Sequence, residues 1–88
     1  MAMAQTIFTE EHRRFIARLR EARRAAKLTQ EELSAKLGKH QSYISNIERG
    51  QRRLDVVEFA SIAKCLDHDP AKLYDRLISD QSCEEADR

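Results

Sequence analysis

The feature that most constrains this chain is a tight turn at Gly38 between two short helical patterns. Apolar residues lie one helical turn apart before this glycine and recur at a spacing of three after it, at Leu33 and Leu37 and then at Ile44 and Ile47. A turn this tight directly after a helix commonly needs one residue with positive φ, which glycine adopts without strain. Two short helices joined by so few residues cannot lie antiparallel, so we expect them to cross steeply.

Two short helices that cross steeply have the geometry of a helix-turn-helix. We predict that the first begins at the capping box opened by Thr29 and stops at Gly38. The second is predicted from Gln41 to Gly50. Ser34 faces the turn, where a small side chain lets the two backbones approach. An αα-hairpin without any nucleic-acid role accounts for the apolar positions equally well, so the polar positions must decide between the two interpretations.

Three further helices are predicted from capping residues and apolar spacing. One follows Thr9 and ends near Lys27, one follows the capping residue Asp55, and one begins at Pro70. The chain has two glycines, one proline and many good helix formers among its 88 residues, so it offers few turns for β-hairpins. We therefore predict an all-α fold, a compact five-helix bundle in which helices 2 and 3 form the helix-turn-helix.

The length of the chain allows one domain with one small core. We place this domain at residues 9–78, because the apolar periods begin and end there. Residues 1–8 are predicted to be a flexible N-terminal arm. Residues 79–88 have no apolar period and are predicted to be a disordered acidic tail.

Several classes of protein are disfavoured by what the sequence lacks. No signal-peptide pattern opens the chain, and no apolar stretch approaches the roughly 20 residues of a membrane span, so we expect a cytoplasmic protein without a membrane partner. The three histidines lie far apart, and no nucleophile, base and acid occur in a catalytic arrangement. Cys65 and His68 are two ligands, whereas a structural zinc site normally needs four. Both cysteines, Cys65 and Cys83, are expected to be free thiols. We predict no enzymatic activity, no metal site and no cofactor.

The charge of the chain is strongly polarised although the formal net charge is only +1. Residues 12–53 hold twelve lysines and arginines against four acidic residues, whereas residues 54–88 hold four against nine. A basic block of this kind is often only a solvated helical face. It gains meaning because the predicted helix-turn-helix lies inside it.

The outward face of helix 3 carries side chains that both donate and accept hydrogen bonds. Amide and hydroxyl groups of this kind match the edges of bases in the major groove. The predicted base-contacting residues are Gln41, Ser42, Ser45 and Asn46. Cations flank them, where the ends of a helix in the groove approach phosphates, at Lys39, Arg49, Arg52 and Arg53. The alternative is that these polar side chains are merely solvated.

Glu48 is unexpected in the last turn of helix 3. The helix dipole disfavours an anion there, and the surrounding cations are the ones expected to attract phosphate. The residue therefore needs a partner. We predict a structural ion pair with Arg23, late on helix 1, that locks the two helices together and removes a negative charge from the basic surface.

The segment LTQEELSAKLGKHQSYISNIERG, residues 28–50, resembles the helix-turn-helix of the Cro and phage-repressor family, also called the XRE family. The resemblance covers about residues 15–78 and implies the five-helix, lambda-repressor-like fold. It implies base contacts for Gln41, Ser42 and Asn46 and the same buried pair of Arg23 and Glu48. Phosphate contacts are implied for Gln30, Tyr43, Arg49, Arg52 and Arg53, to which we add Lys39 and His40. Ser34 departs mildly from the commoner alanine, and we expect it to be tolerated.

The resemblance also implies a function and an assembly. Its members bind double-stranded DNA sequence-specifically as transcriptional regulators, and we expect a repressor with helix 3 in the major groove of a pseudo-palindromic operator. They usually bind as two-fold dimers. The predicted dimer interface is an apolar stripe on and near helix 5, which Ile7 and Phe8 of the arm could extend: Leu66, Leu73, Tyr74, Leu77 and Ile78. A regulator that touches RNA polymerase, or an antitoxin that masks a toxin, is the alternative interpretation.

Overall fold

The computed structural model describes the backbone of residues 9–86 and the side chains of residues 9–79. Within that part the chain forms five α-helices and no strand. They are α1 (Glu10–Ala25), α2 (Gln30–Lys36), α3 (Tyr43–Glu48), α4 (Val56–Cys65) and α5 (Pro70–Ala86). The predicted all-α bundle, with α2 and α3 as a helix-turn-helix, is confirmed. The arm at residues 1–8, with Ile7 and Phe8, lies outside the described residues.

The helices begin where side chains supply acceptors for backbone N–H groups that have no partner within the helix. The Thr9 hydroxyl accepts from the N–H of His12, at 3.0 Å, and so caps α1. Complete capping boxes open α2 and α4, with Thr29 and Asp55 as the capping residues. Asp69 accepts from the N–H of Lys72 at the start of α5, at 3.1 Å.

Four of the helices end in the same way, with one residue at positive φ and two backbone hydrogen bonds back into the last turn. This is the Schellman arrangement. Gly38 and Gly50 hold this position after α2 and α3. Lys27 and Asp67 hold it after α1 and α4, both at φ 64°. The sequence pattern identified the two glycines as stops and placed the end of helix 1 near Lys27, but it did not predict positive φ at Lys27 or Asp67, because a non-glycine residue rarely adopts this conformation.

Two helix boundaries differ from the predicted ones. Gln41 and Ser42 form a turn before α3 rather than its first residues, because the Ser42 side chain makes no capping bond and Tyr43 donates its N–H back to the carbonyl of His40. The backbone of α5 continues through residues 79–86, beyond the predicted end of the apolar pattern at Ile78. That segment contains no glycine or proline that would stop a helix.

The core lies where all five helices meet. α2 packs on α3 and α4, while α1 packs on α3 and α5, and α4 packs on α5. Its largest fully buried apolar side chains are Leu33, Ile47, Ile62 and Leu73. Three aromatic rings from different helices lie beside them. The ring centroids of Phe15, Phe59 and Tyr74 are 5.6 to 6.1 Å apart. This packing leaves the outer side of α3 free of neighbouring helices.

Candidate nucleic-acid interface

A buried ion pair joins α1 to the end of α3. The Arg23 guanidinium donates to both carboxylate oxygens of Glu48, Nε to Oε2 at 2.8 Å and Nη2 to Oε1 at 3.1 Å. The two side chains are only 8% and 5% exposed. Arg23 also donates from Nη1 to the carbonyl of Leu28, at 2.7 Å. The structure thus brings together the two residues that the helix-dipole argument paired.

Gln30 completes this network from the first residue of α2. Its Nε2 donates to Oε1 of Glu48 at 2.8 Å, so the carboxylate receives three hydrogen bonds from two helices. Because a carboxylate only accepts, the amide nitrogen of Gln30 must face Glu48. Sequence reasoning placed Gln30 at a phosphate and did not anticipate this bond. We call Arg23, Gln30 and Glu48 the buried cluster.

Ser34 links α2 directly to the start of α3. It is fully buried, and its Oγ accepts from the backbone N–H of Ile44 at 3.1 Å. This bond replaces the cap that Ser42 does not provide. The sequence indicated only that a small residue fits at position 34. The Ser34 hydroxyl therefore has a structural role that an alanine side chain could not fulfil. The one sequence signal for this role was the position of Ser34 at the turn.

The predicted base-contacting residues lie together on the outer side of α3 and the turn before it. Gln41 is exposed, and Ser42, Ser45 and Asn46 are half-buried. The Ser45 hydroxyl donates to the carbonyl of Ser42 at 3.0 Å. Arg49 donates from Nη2 to Oδ1 of Asn46 at 3.2 Å, which places a guanidinium beside the polar face. Major-groove edges of bases present both donors and acceptors, and this surface can match them.

His40 is tied to the turn before α3. The backbone N–H of Ser42 donates to Nδ1 of His40 at 3.1 Å, and the Ser42 hydroxyl lies 2.9 Å from the same nitrogen. An N–H donor requires an unprotonated Nδ1, so this arrangement belongs to the neutral imidazole with its proton on Nε2. His40 is exposed, and Nε2 is the ring nitrogen left to approach a phosphate.

A second Arg–Glu contact lies on the other side of α3. Arg52 donates from Nη2 to Oε2 of Glu58 at 2.8 Å, with the side chains 42% and 19% exposed. The Arg52 guanidinium lies over the ring of Tyr43, with Cζ 4.9 Å from the centroid, and Lys39 Nζ lies 5.5 Å from it. We call Tyr43, Arg52 and Glu58 the exposed cluster after Arg52, which is 42% exposed, although Tyr43 beneath it is buried. It connects α3 to α4 and was not predicted.

The ionisation of the exposed cluster reflects these contacts. Burial raises the pKa of the Tyr43 phenol, and the charge of Glu58 and a hydrogen bond to it raise the pKa further. Burial opposes the charged form of Glu58, but hydrogen bonds from the Asp55 N–H and from Arg52 outweigh it, so the pKa of Glu58 lies below its ordinary value. The cluster is thus a charged carboxylate that holds a guanidinium, with a neutral phenol beside them.

The predicted phosphate-contacting cations differ in whether they already have a hydrogen-bond or ion-pair partner within the protein. Arg52 is held by Glu58, and Arg49 is held by Asn46. Arg53 and Lys39 are exposed, and neither forms an ion pair among the described side chains. Burial lowers the pKa of His12 on α1, and the charge of the nearby Arg53 lowers it further.

The predicted dimer stripe is largely part of the core. Leu66, Leu73 and Leu77 are buried among the other helices of the same chain, which leaves them unavailable to a second copy. Ile78 is half-buried, and Tyr74 is exposed. Apolar spacing on a helix cannot distinguish a core face from an interface, which explains the difference. Among the described side chains, the most exposed large apolar residues are Val56 and Val57, at 82% and 71%.

None of the helices in the described part of the chain is long and apolar enough to cross a membrane. Within the same part of the chain, His, Cys, Asp and Glu side chains nowhere gather in threes around a point where a metal ion would fit. Cys65 is a free thiol and half-buried.

Comparisons with known proteins agree with this geometry. The model of the helix-turn-helix family HTH_3 matches residues 19–73. The chain is 47% identical over 49 residues to a protein of Sinorhizobium fredii described as the uncharacterized HTH-type transcriptional regulator y4dL. The match covers 56% of this chain but only 25% of that relative.

A solved structure extends the likeness beyond the helix-turn-helix. It is an XRE-family like protein from Pseudomonas syringae pv. tomato, with 39% sequence identity and a TM-score of 0.74. The match covers 88% of this chain and 94% of that one. The family model and the structural match together span the buried cluster, the exposed cluster and the polar face of α3. The chain therefore belongs to the XRE family of helix-turn-helix proteins.

Proposed function

We propose that the protein is a transcriptional regulator that binds double-stranded DNA sequence-specifically, with α3 in the major groove. The observation that carries this proposal is the way in which Glu48 is buried. The ion pair with Arg23 and the bond from Gln30 remove the acidic group from the polar face of α3, whose other side chains are neutral. A carboxylate left exposed there would repel the phosphates of a duplex. The regulator described in Sinorhizobium fredii supports the same function.

The proposed contacts follow from exposure and from the partners that each side chain already has. Base edges are contacted by Gln41, Ser42, Ser45 and Asn46. Phosphates are contacted at the rim, with Arg53 and Lys39 as the charges that form no ion pair and with Gln30, His40, Arg49 and Arg52 around them. Tyr43 is only 8% exposed beneath Arg52 and Lys39, so we expect its own phosphate contact to contribute least. Arg49, beside Asn46, lies close enough to the polar face to support it as well. Arg52 has its charge largely matched by Glu58, so we expect it to contribute less to phosphate binding than Arg53.

We also propose that two copies bind a pseudo-palindromic operator, since one small domain makes few base contacts. Val56 and Val57 are the surface that we propose for a second copy, because they are the most exposed large apolar residues among the described side chains. Two valines offer far less than the roughly 800 Å² per partner of a stable interface, so the pair forms on DNA. Occupancy of an operator by such a pair would repress transcription in the cytoplasm.

Selection of bound sequences from random duplexes tests the proposal, followed by binding measurements on the selected site. Gln41→Ala and Asn46→Ala should lower the preference for particular base pairs by roughly 1–3 kcal/mol, because each removes hydrogen bonds to a base edge. Arg53→Ala should weaken selected and random duplexes equally. An inverted repeat among the selected sequences is expected for paired copies. Equal losses on both kinds of duplex for all three variants would contradict the proposed roles.

A further inference from the structure

The outer side of α1 carries a row of cations that ends beside the start of α2. Arg20 and Arg24 lie four residues apart on α1, and Lys27 follows in the turn that ends this helix. Side chains three or four residues apart are neighbours on a helix surface. Arg20 and Arg24 are therefore neighbours on α1, and Lys27, which has left the helix at φ 64°, lies beside Arg24 around one depression of the surface; we call the three the α1 basic row.

The row keeps its charge. Other arginines of α1 contact carboxylates, since Arg13 and Arg14 lie near Glu10 and Arg23 is paired with Glu48. The residues of the row are exposed, and the ion pairs between described side chains include none of them. Glu21 follows Arg20 in the sequence but forms no ion pair with the row either. Three uncompensated cations on a rigid helix form a strongly positive surface.

The row is continuous with the surface that we propose for DNA. Arg24 and Lys27 line an open depression together with Leu28, Thr29 and Gln30. Gln30 in turn is bonded to Glu48 at the end of α3. The row thus begins beside the buried cluster that holds α3, and it extends away from this cluster along α1.

We propose that the α1 basic row binds the phosphates that flank the half-site read by α3. The proposal rests on the proposed function. Duplex DNA carries one negative charge per about 1.7 Å of helix axis, which matches an unpaired row of cations, and each neutralised phosphate releases counterions. Contacts of this kind add affinity for every sequence and carry no base preference. The footprint of the protein is then longer than its base contacts require.

The double variant Arg20→Gln/Arg24→Gln tests the proposal, because glutamine keeps the helix propensity and removes two charges. We measure binding to a long random duplex at several salt concentrations. Each phosphate contact contributes about 0.9 to the slope of log Kobs against log salt, so the slope should become shallower by about 1.8. Lys64→Gln/Arg76→Gln is the matched control. It removes two exposed cations from α4 and α5 and should leave the slope unchanged.

Two further measurements distinguish the possible outcomes. On duplexes shortened stepwise toward the selected half-site, the difference between the double variant and the unchanged protein should vanish once the flanks are gone. Arg53→Gln reports the DNA surface itself. If it weakens binding while the double variant matches its control, the row does not contact DNA, and an acidic protein becomes the partner to test.

Failure of the proposed function gives a different result from failure of the α1 basic row proposal. In that case the unchanged protein itself does not bind duplex DNA, and Arg53→Gln has no effect. A difference that persists on the shortest duplex would also overturn the proposal for the flanks. Thermal unfolding of each variant, followed by circular dichroism, should give unchanged melting temperatures, since all substituted side chains are exposed.

Discussion

The two clusters that hold α3 use the same pair of residue types in different surroundings. In the buried cluster, Arg23 and Glu48 are less than a tenth exposed, and Gln30 donates a third hydrogen bond to the carboxylate. In the exposed cluster, Arg52 remains 42% exposed beside Glu58. A buried charge without its partner is very costly, whereas water screens an exposed one. The buried cluster therefore fixes α3 firmly to α1 and α2, whereas the exposed cluster contributes less to the stability of its contact with α4.

Arg23→Met gives the largest effect expected from this comparison. It leaves the Glu48 carboxylate buried without its cation, so the free energy of unfolding should fall by about 3 kcal/mol. Urea unfolding followed by circular dichroism measures this loss. Arg13→Met removes the same group from an exposed position of the same helix and should cost less than about 0.5 kcal/mol. Similar losses in the two variants would show that the buried cluster does not lock α3.

Ser34→Ala is the next largest effect on the locked side. It leaves the buried N–H of Ile44 without its acceptor, which should cost about 1–2 kcal/mol of the free energy of unfolding. Ser61→Ala, at an exposed position of α4, serves as the control and should be neutral or slightly stabilising. If Ser34→Ala behaves like this control, the bond to Ile44 contributes nothing and α2 holds α3 by apolar packing alone.

Glu58→Gln gives the smallest effect and probes the exposed side. Glutamine can still complete the capping box, so the variant removes the charge and spares the cap. At neutral pH the loss should be below about 1 kcal/mol, because the pair is partly exposed. The pKa of Glu58 is lowered in the folded protein, so its contribution exists above the ordinary glutamate pKa and is lost as the pH falls through the folded value.

The measurement is therefore urea unfolding of both proteins from neutral pH into acid. The difference between them should shrink as the pH falls, and Glu21→Gln should show no such trend, since no ion pair is found for Glu21 among the described residues. A difference that stayed constant with pH would mean that Glu58 acts through its shape and not through its charge.

Local chemistry explains which features the sequence could predict. The caps at Thr29 and Asp55 depend on residues three apart, so their patterns were sufficient. The pair of Arg23 and Glu48 was found because an anion at the end of a helix conflicts with the dipole. Each of these signals is local: it involves residues within one or two helical turns, or a charge that conflicts with the dipole of its own helix.

The missed features depend on how helices meet. The bond from Ile44 to Ser34 requires the crossing of α2 and α3, and the contact of Arg52 with Tyr43 and Glu58 requires the position of α4. The apolar stripe of α5 was predicted as an interface because periodicity identifies an apolar face but not what covers it. Lys27 and Asp67 at positive φ carry no sequence signal comparable to glycine.

The bond between Gln30 and Glu48 also has a consequence for how the protein meets DNA. A free glutamine side chain samples many rotamers, and fixing it at an interface typically costs about 0.5–1.5 kcal/mol of affinity. Here the amide is oriented by a buried carboxylate during folding, with Oε1 and one N–H left for other partners. The entropy of ordering this side chain has thus been lost before any duplex arrives, and the surface is pre-organised at the point where α2 begins.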